Sequence, residues 1–519
     1  MGLGKEIARI KKKIAQFFIG EFVSDHTQEI VNAVSRELRN MRDMQFMAYQ
    51  EMKEDNLQYR HDIAQGLRVN LKNSEDHVLT IPNPSGFFAQ PAKRTAVFYH
   101  NSYYHFHYLA QALRRRNWDV VTVSIDNPKL SSYTYYHGED INLYHDDPWI
   151  MRDNIANFFR LAKERYGLFH FANDHVMAFD PYNYYLDDPP DIVEWKALGK
   201  KVAYTSSGCG SALLKTSVGN WSRQALGHTV CSRCRWENEP SICSDERIGA
   251  WGEKLLKYAD VVFAETLPAL DYLGRDTVIT EPVTMCMDPT IWYPELEIPE
   301  EHLIKRDPDE VLIYHAVGNY QLRMREEGLN IKGTSFVLDA IQRLEQEGYP
   351  VRLIFETNKL NKELRYTQAQ ADIIVDQLNF GRYGATAREG MMLGKPTISF
   401  VNRNEPHPEQ QLQCLKEVPL VSATETTVYE ALKDLVQHPG KRLEIGQASR
   451  QYALKWHSHD GAAHRYEQIY DQIMAGKKPQ FPESWTYFEP AKKKYSIGNT
   501  PTLDGQPAEA CLLANATTR

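Results

Sequence analysis

Apolar residues along this chain follow two interleaved patterns. From Thr95 onward, short unbroken apolar runs alternate with stretches whose apolar positions recur every three or four residues. Ala96 to Tyr99 is one such run. A strand covered on both faces needs apolar side chains in succession rather than in alternation. Tyr108, Leu109, Ala112 and Leu113 then form a helical stripe, and Val120 to Ile125 a second strand-like run. Residues 167–172, 200–206 and 260–266 repeat the strand pattern. A passage over 280–301 carries prolines at 282, 289, 294 and 299. The alternation then restarts, with strands at 311–317, 351–357, 371–377 and 396–401, a helix from Ser335 to Glu347, and a long helical region to about Ala475. Alternating strands and helices predict parallel sheets flanked by helices. The expected fold class is α/β, with two Rossmann-like domains facing a cleft and the proline-rich passage as linker.

The two ends have a different texture. Leu3, Ile7, Ile10, Ile14, Phe17 and Phe18 recur at helical spacing among Lys5, Arg9, Lys11, Lys12 and Lys13. They predict a basic amphipathic helix at the start of a helical extension over residues 1–75. Such a helix, through residues 1–23, can lie on an anionic membrane surface, or dock on the protein's own body or a twin chain. Residues 476–519, rich in Pro, Lys, Thr, Ala and Asn, predict a loosely ordered tail. Between them the expected domains are 76–295 and 305–475.

Composition narrows the classes. The 519 residues are 42% hydrophobic and 25% charged, with a net charge of −8. That balance argues against a general nucleic-acid binder. No apolar run reaches the roughly 20 residues that span a bilayer. Seven cysteines, an odd and sparse set, fit a reducing compartment. The expected location is cytoplasmic, peripheral on the inner face of the membrane if the basic helix binds there. Cys231 and Cys234 form a Cys-x-x-Cys pair, followed by Cys243 and preceded by Cys209. Two thiolates at that spacing can share one ion, so these four are candidate ligands of a structural zinc; reduced thiols are the plainer alternative.

Candidate chemistry lies in the loops that follow strands. In open α/β sheets, ligands bind beyond the carboxyl ends of the strands, where helix N-termini offer unpaired N–H groups. One such loop, NFGRYG, runs from 379 into the helix ATAREGMMLG. Its Tyr383, Gly384, Ala385 and Thr386 are placed to approach a ligand, and Glu389 is an acceptor suited to a sugar diol. A second loop lies in HAVGNYQLRMREEGLNIKGTSF, 315–336. Gly318, Asn319, Arg323, Arg325, Lys332, Gly333 and Thr334 there suit a pyrophosphate. In the first domain, HNSYYHFH (100–107) and ANDHVM (172–177) follow strands. Asn101, Asn173, Asp174 and His175 can hydrogen-bond sugar hydroxyls, and Tyr103 and Tyr104 can stack on a sugar face.

HAVGN…NIKGT, ADIIVDQL, YGATAREGMMLGKPTISF and EIGQASRQYALKWHS (444–458) together resemble the retaining, family-4-like glycosyltransferases of the GT-B fold. The resemblance covers residues 310–470 closely and 95–290 in outline. It implies a nucleotide-diphosphate sugar as donor and a glycan or glycolipid acceptor in bacterial surface polysaccharide assembly, with no cofactor or metal needed for hexosyl transfer. It implies that Lys332 binds the donor diphosphate with Arg323 or Arg325, and that Glu389 holds the donor ribose. Gly384 and Ala385 would present N–H groups to the phosphate or sugar. His175 is the acceptor-side residue most favoured for a catalytic role. One departure stands out: the family's earlier glutamate falls at Gly381. A nucleotide-sugar epimerase of the same plan, and a catalytically silent scaffold in a glycan-assembly complex, are the alternative readings.

Overall fold

The computed structural model describes residues 94–479, apart from short stretches within that range. The N-terminal extension and the tail beyond residue 479 therefore lie outside the described residues. Among the described residues, no helix is long and apolar enough to cross a membrane.

The first domain is built on a seven-stranded sheet in the order β3-β2-β1-β4-β5-β6-β7. Its elements are β1 (Thr95–Tyr99), α1 (His105–Arg115), β2 (Asp119–Ser124), β3 (Ile141–Asn142), α2 (Pro148–Arg165), β4 (Leu168–Ala172), α3 (Pro190–Ala197), β5 (Lys201–Ser206), α4 (Lys215–Leu226), α5 (Asp245–Tyr258), β6 (Val261–Ala264) and β7 (Val278–Ile279). Every pairing is parallel, with Val97 opposite Val121 on one side and Phe169 on the other. β1 and β4 are buried along their whole length, which is why their sequences run apolar without alternation. Local signals set the helix ends. Asp147 accepts the Trp149 N–H at the start of α2, ahead of Pro148. Ser244 caps α5 in the same way, with Asp245 and Glu246 in its first turn.

The second sheet holds four parallel strands in the order β11-β10-β8-β9. It comprises β8 (Val311–Ala316), α6 (Tyr320–Arg323), α7 (Thr334–Gln346), β9 (Val351–Glu356), α8 (Asn361–Gln370), β10 (Ile373–Val375), α9 (Ala385–Met392) and β11 (Thr397–Ile398). Then come α10 (Gln413–Glu417), α11 (Val428–Gln437), α12 (Pro439–His457) and α13 (His459–Met474). The strand order turns back at β8/β10, so the loops leaving these two strands diverge to opposite faces and open a crevice between them.

The last helix, expected with the second domain, packs on the first. Tyr466 Oη lies 3.1 Å from His105 Nε2 on α1, and Arg94 pairs with Glu467 at 2.6 Å. The linker is pinned at the same crossing, where the Met287 N–H donates to His457 O and the His459 N–H donates to Met287 O. One apolar cluster therefore runs from the first sheet into Ala387 and Met391 of α9, Tyr452 of α12 and Ile469 of α13. A separate cluster around Val337, Ile373 and Leu432 fills the second domain. Sharing a core in this way positions the loops of one domain against those of the other.

Candidate functional site

Two loops that the sequence marks separately meet at the β8/β10 crevice. Lys332, just ahead of α7, sends its Nζ to Asp376 Oδ1 at 2.9 Å and to Thr386 Oγ1 of α9 at 3.2 Å. An ammonium has three N–H donors, so one remains for a ligand. The Lys332 side chain is 17% exposed and that of Asp376 0%. Asp376 also accepts the Gly384 N–H through Oδ2. The Gly384 N–H, expected to face a phosphate, is held here by this internal carboxylate. Ala385, which opens α9, stays half-buried beside it.

The rest of the β8–α7 loop is braced by side chains. His315 donates from Nδ1 to Val375 O (2.9 Å), so its Nε2 accepts the Thr334 hydroxyl at 2.9 Å. Burial keeps this imidazole neutral, pushing it down to about 4. Thr334 is fully buried and opens α7; its N–H donates to Asn330 Oδ1 and its hydroxyl goes to His315, so neither faces a ligand. Gly333 adopts φ 73° at the N-cap. Asn319, with φ 52°, caps the short α6.

The two loop arginines differ. Arg325 is committed to the first domain, donating to Ser232 O at 2.7 Å and Glu237 Oε2 at 2.6 Å. The Arg323 guanidinium makes no hydrogen bond or ion pair among the described residues, and its charge acts on the Tyr135 phenol. Tyr135, from the first domain, stands over Gly318. A Cβ built there would lie 1.8 Å from the Tyr135 hydroxyl oxygen, so only glycine admits it. The ring of Tyr135 is 5.4 Å from that of Tyr103, one of the two expected stacking residues; the other, Tyr104, is fully buried. Tyr103 (φ 51°) and His100 (φ 74°) both hold left-handed backbone conformations in the β1–α1 loop. Such conformations are costly for non-glycine residues and cluster at functional sites. Asn101, Asn173, Asp174 and His175 lie outside the described residues.

Glu389 is 2% exposed. Asn361 Nδ2 donates to Oε1 at 2.9 Å and Gln368 Nε2 donates to Oε2 at 2.6 Å. In this conformation it is an enclosed carboxylate, with both oxygens already accepting a side-chain N–H. Tyr383 also faces inward, its hydroxyl 2.7 Å from Tyr452 Oη. Sequence reasoning missed Asp376, Asn361, Gln368, His137, Tyr135 and the partly buried cross-domain pair of Arg388 with Glu265, 2.7 Å apart. Asp376 carried a visible signal: an acid closing an otherwise apolar strand. The others carried none.

Gly381, where the resembled family places a glutamate, has φ +91°. A Cβ there would sit 2.9 Å from both Asn402 Cβ and Trp221 Cη2. Position 381 has neither the backbone conformation nor the space for a side chain.

The four cysteines come together but not as a metal site. Cys231 and Cys234 flank a turn in which the Cys234 N–H donates to Cys231 O at 2.9 Å. Burial pushes the Cys209 thiol up to about 12, with the other three thiols adding to the shift. Cys234 and Cys243 are raised as well, again chiefly by burial. Among the described residues, no group of three or more His, Cys, Asp or Glu side chains is arranged to hold a metal ion. The zinc expectation therefore finds no support among the described residues.

No protein-family model and no curated protein matches the chain. Among solved structures, it is similar to a sucrose-phosphate synthase from Thermosynechococcus elongatus, at 14% identity and a TM-score of 0.45, covering 74% of this chain and 100% of that one. A glycosyltransferase from Rickettsia africae matches at 11% identity and 0.45, covering 74% and 99%. A UDP-GlcNAc 2-epimerase from Neisseria meningitidis, bound to UDP-GlcNAc, matches at 11% and 0.40, covering 72% and 98%.

Proposed function

We propose that this chain is a glycosyltransferase that moves a hexosyl group from a nucleotide-diphosphate sugar to a glycan or glycolipid acceptor, with retention, in bacterial surface polysaccharide assembly. One observation carries the reading: Lys332 reaches the first turn of α9 at the β8/β10 crevice, 3.2 Å from Thr386. A cation with a spare donor, beside a helix N-terminus, at the point where a parallel sheet reverses order, is suited to a diphosphate.

Breaking the sugar–phosphate bond develops negative charge on the departing diphosphate. In this reading Lys332 and Arg323 stabilise that charge as it forms. Ala385 and Thr386 line the phosphate side, and Glu389 receives the ribose hydroxyls. The acceptor oxygen attacks on the face the nucleotide leaves and passes its proton to the departing phosphate. Tyr103 and the loops holding Asn101, Asn173, Asp174 and His175 form the acceptor side, and residues 1–23 bring the enzyme to the inner membrane face.

A specific observation favours a second reading. Asp376 already neutralises Lys332, and Glu389 is enclosed, as a silent scaffold would tolerate. Incubation with a panel of UDP-, GDP- and ADP-sugars separates the readings. Release of nucleoside diphosphate with transfer or slow hydrolysis supports the transferase. Binding without turnover favours the scaffold, and an isomerised free nucleotide sugar favours an epimerase.

A further inference from the structure

Glu389 already carries the two hydrogen bonds that a ribose diol would bring. Asn361 and Gln368 place one N–H on each carboxylate oxygen, at 2.9 and 2.6 Å. A cis-diol would place one O–H on each. Tyr104, from the first domain and fully buried, lies close enough to feel the same carboxylate, its phenol held un-ionised by burial and by the charge of Glu389.

Asn361 is in turn held from the first domain. A carboxylate only accepts, so Asn361 must turn its Nδ2 to Glu389 and its Oδ1 to His137 Nε2, 2.7 Å away. His137 therefore donates from Nε2. Its Nδ1 accepts the Tyr108 hydroxyl at 2.8 Å. The ring is clamped against Trp292, with centroids 5.3 Å apart and planes 18° apart. Tyr108, His137, Asn361 and Glu389 thus form a one-way chain of donors that starts in one domain and ends on a carboxylate of the other. Each bond in such a buried chain polarises the next.

We propose that this chain is a closure latch: Asn361 stands in for the ribose diol on Glu389, His137 holds it there, and a nucleotide enters only when the His137–Asn361 bond breaks and the two domains part. The latch rests on the reading of Glu389 as the ribose acceptor. It has an unusual consequence. A protein whose binding-competent form is only fractionally populated binds with an affinity reduced by that fraction. Weakening the latch raises the fraction, so a latch variant binds nucleotide more tightly than the natural protein. An ordinary binding-site substitution does the reverse.

The test is calorimetric titration of the full chain with UDP, GDP and ADP, for the natural protein and for His137→Leu, Tyr108→Phe and Glu389→Gln. The expected result is tightening by about fivefold in His137→Leu, the effect of one lost hydrogen bond, and a smaller change of the same sign in Tyr108→Phe. Glu389→Gln weakens binding. Tyr108→Phe keeps the buried ring and serves if His137→Leu does not fold. Latch variants that bind no tighter than a natural protein that does bind overturn the latch alone. Binding by His137→Leu where the natural protein shows none supports it strongly. If none of the four proteins binds any of the three nucleotides, the glycosyltransferase reading fails and the latch with it.

Discussion

The Lys332 ammonium lies 2.9 Å from Asp376 Oδ1, at the crevice where the second sheet reverses its strand order. The carboxylate is fully buried and the cation largely so. Each offsets the desolvation of the other. The pair lowers the positive charge that a diphosphate would meet, while holding the ammonium where that diphosphate would arrive. Asp376→Asn removes the compensating charge but keeps an oxygen for the Gly384 N–H. It is expected to tighten nucleoside diphosphate binding about tenfold while lowering stability by about 2 kcal/mol. Calorimetry and denaturant titration check the two halves. Weaker binding would mean that Asp376 is needed for its grip on Lys332 more than its charge opposes the ligand.

Lys332→Met separates structure from function. Alone it strands a buried carboxylate, and stability should fall by about 3 kcal/mol. Combined with Asp376→Asn, most of that loss should return. Turnover should not: without the ammonium, the departing charge loses a preorganised donor worth about 100-fold in rate. A double variant that recovers both stability and turnover would remove Lys332 from the mechanism.

Much of the scaffold was legible in the sequence, and the reasons are local. Ala96–Tyr99 and Val311–Ala316 read as strands because both faces of a central parallel strand are covered. β3 and β7 escaped because two residues carry no periodicity. The amphipathic stripe of α13 announced a helix but not its partner, since Tyr466 and Tyr470 would suit either sheet. The site was half legible. Lys332 and Thr386 lay in glycine-bearing loops after strands, and they do meet. The enclosure of Glu389 was not legible, because its cover comes from Asn361 and Gln368, more than 20 residues away in sequence, and from Tyr104 in another domain. Nothing local in the chain announces such long-range contacts.

Buried histidines shape the acid limb of stability, His105, His137 and His315 among them, with His170 and His457 also held well below the ordinary value by burial. Burial pushes His105 and His137 down to about 3 and His315 to about 4, from an ordinary 6.5. Each stays neutral in the fold and takes up a proton when the chain unfolds. A lowered folded pKa contributes stability above the unfolded value and loses it as pH falls toward the folded value. Between about pH 6 and 4.5 these three residues alone should cost close to three protons, about 4 kcal/mol per pH unit. Proton uptake on urea unfolding at pH 5 measures this directly. His315→Gln should reduce the uptake by one proton, and an unchanged uptake would show that His315 is already charged in the folded protein.

Gly381 decides whether the missing glutamate is a lost function or a different design. If it were a lost function, Gly381→Glu would restore a sugar contact and raise turnover. The structure argues otherwise. The residue holds φ +91°, a conformation that strains any L side chain, and Asn402 and Trp221 already fill the Cβ position at 2.9 Å. The Gly381 carbonyl accepts the Asn402 N–H at 2.9 Å, so the backbone cannot turn to relieve the strain without losing that bond. Trp221 is itself anchored across the domains, its Nε1–H on Asn404 O at 2.9 Å. Gly381→Ala should therefore cost about 2 kcal/mol and Gly381→Glu more, both with reduced nucleotide binding because the loop between β10 and α9 is displaced. Denaturant titration of the two variants, with turnover on the best donor sugar, tests this. Higher turnover in Gly381→Glu would show that the loop can open and that the resembled family's arrangement is still within reach of this chain.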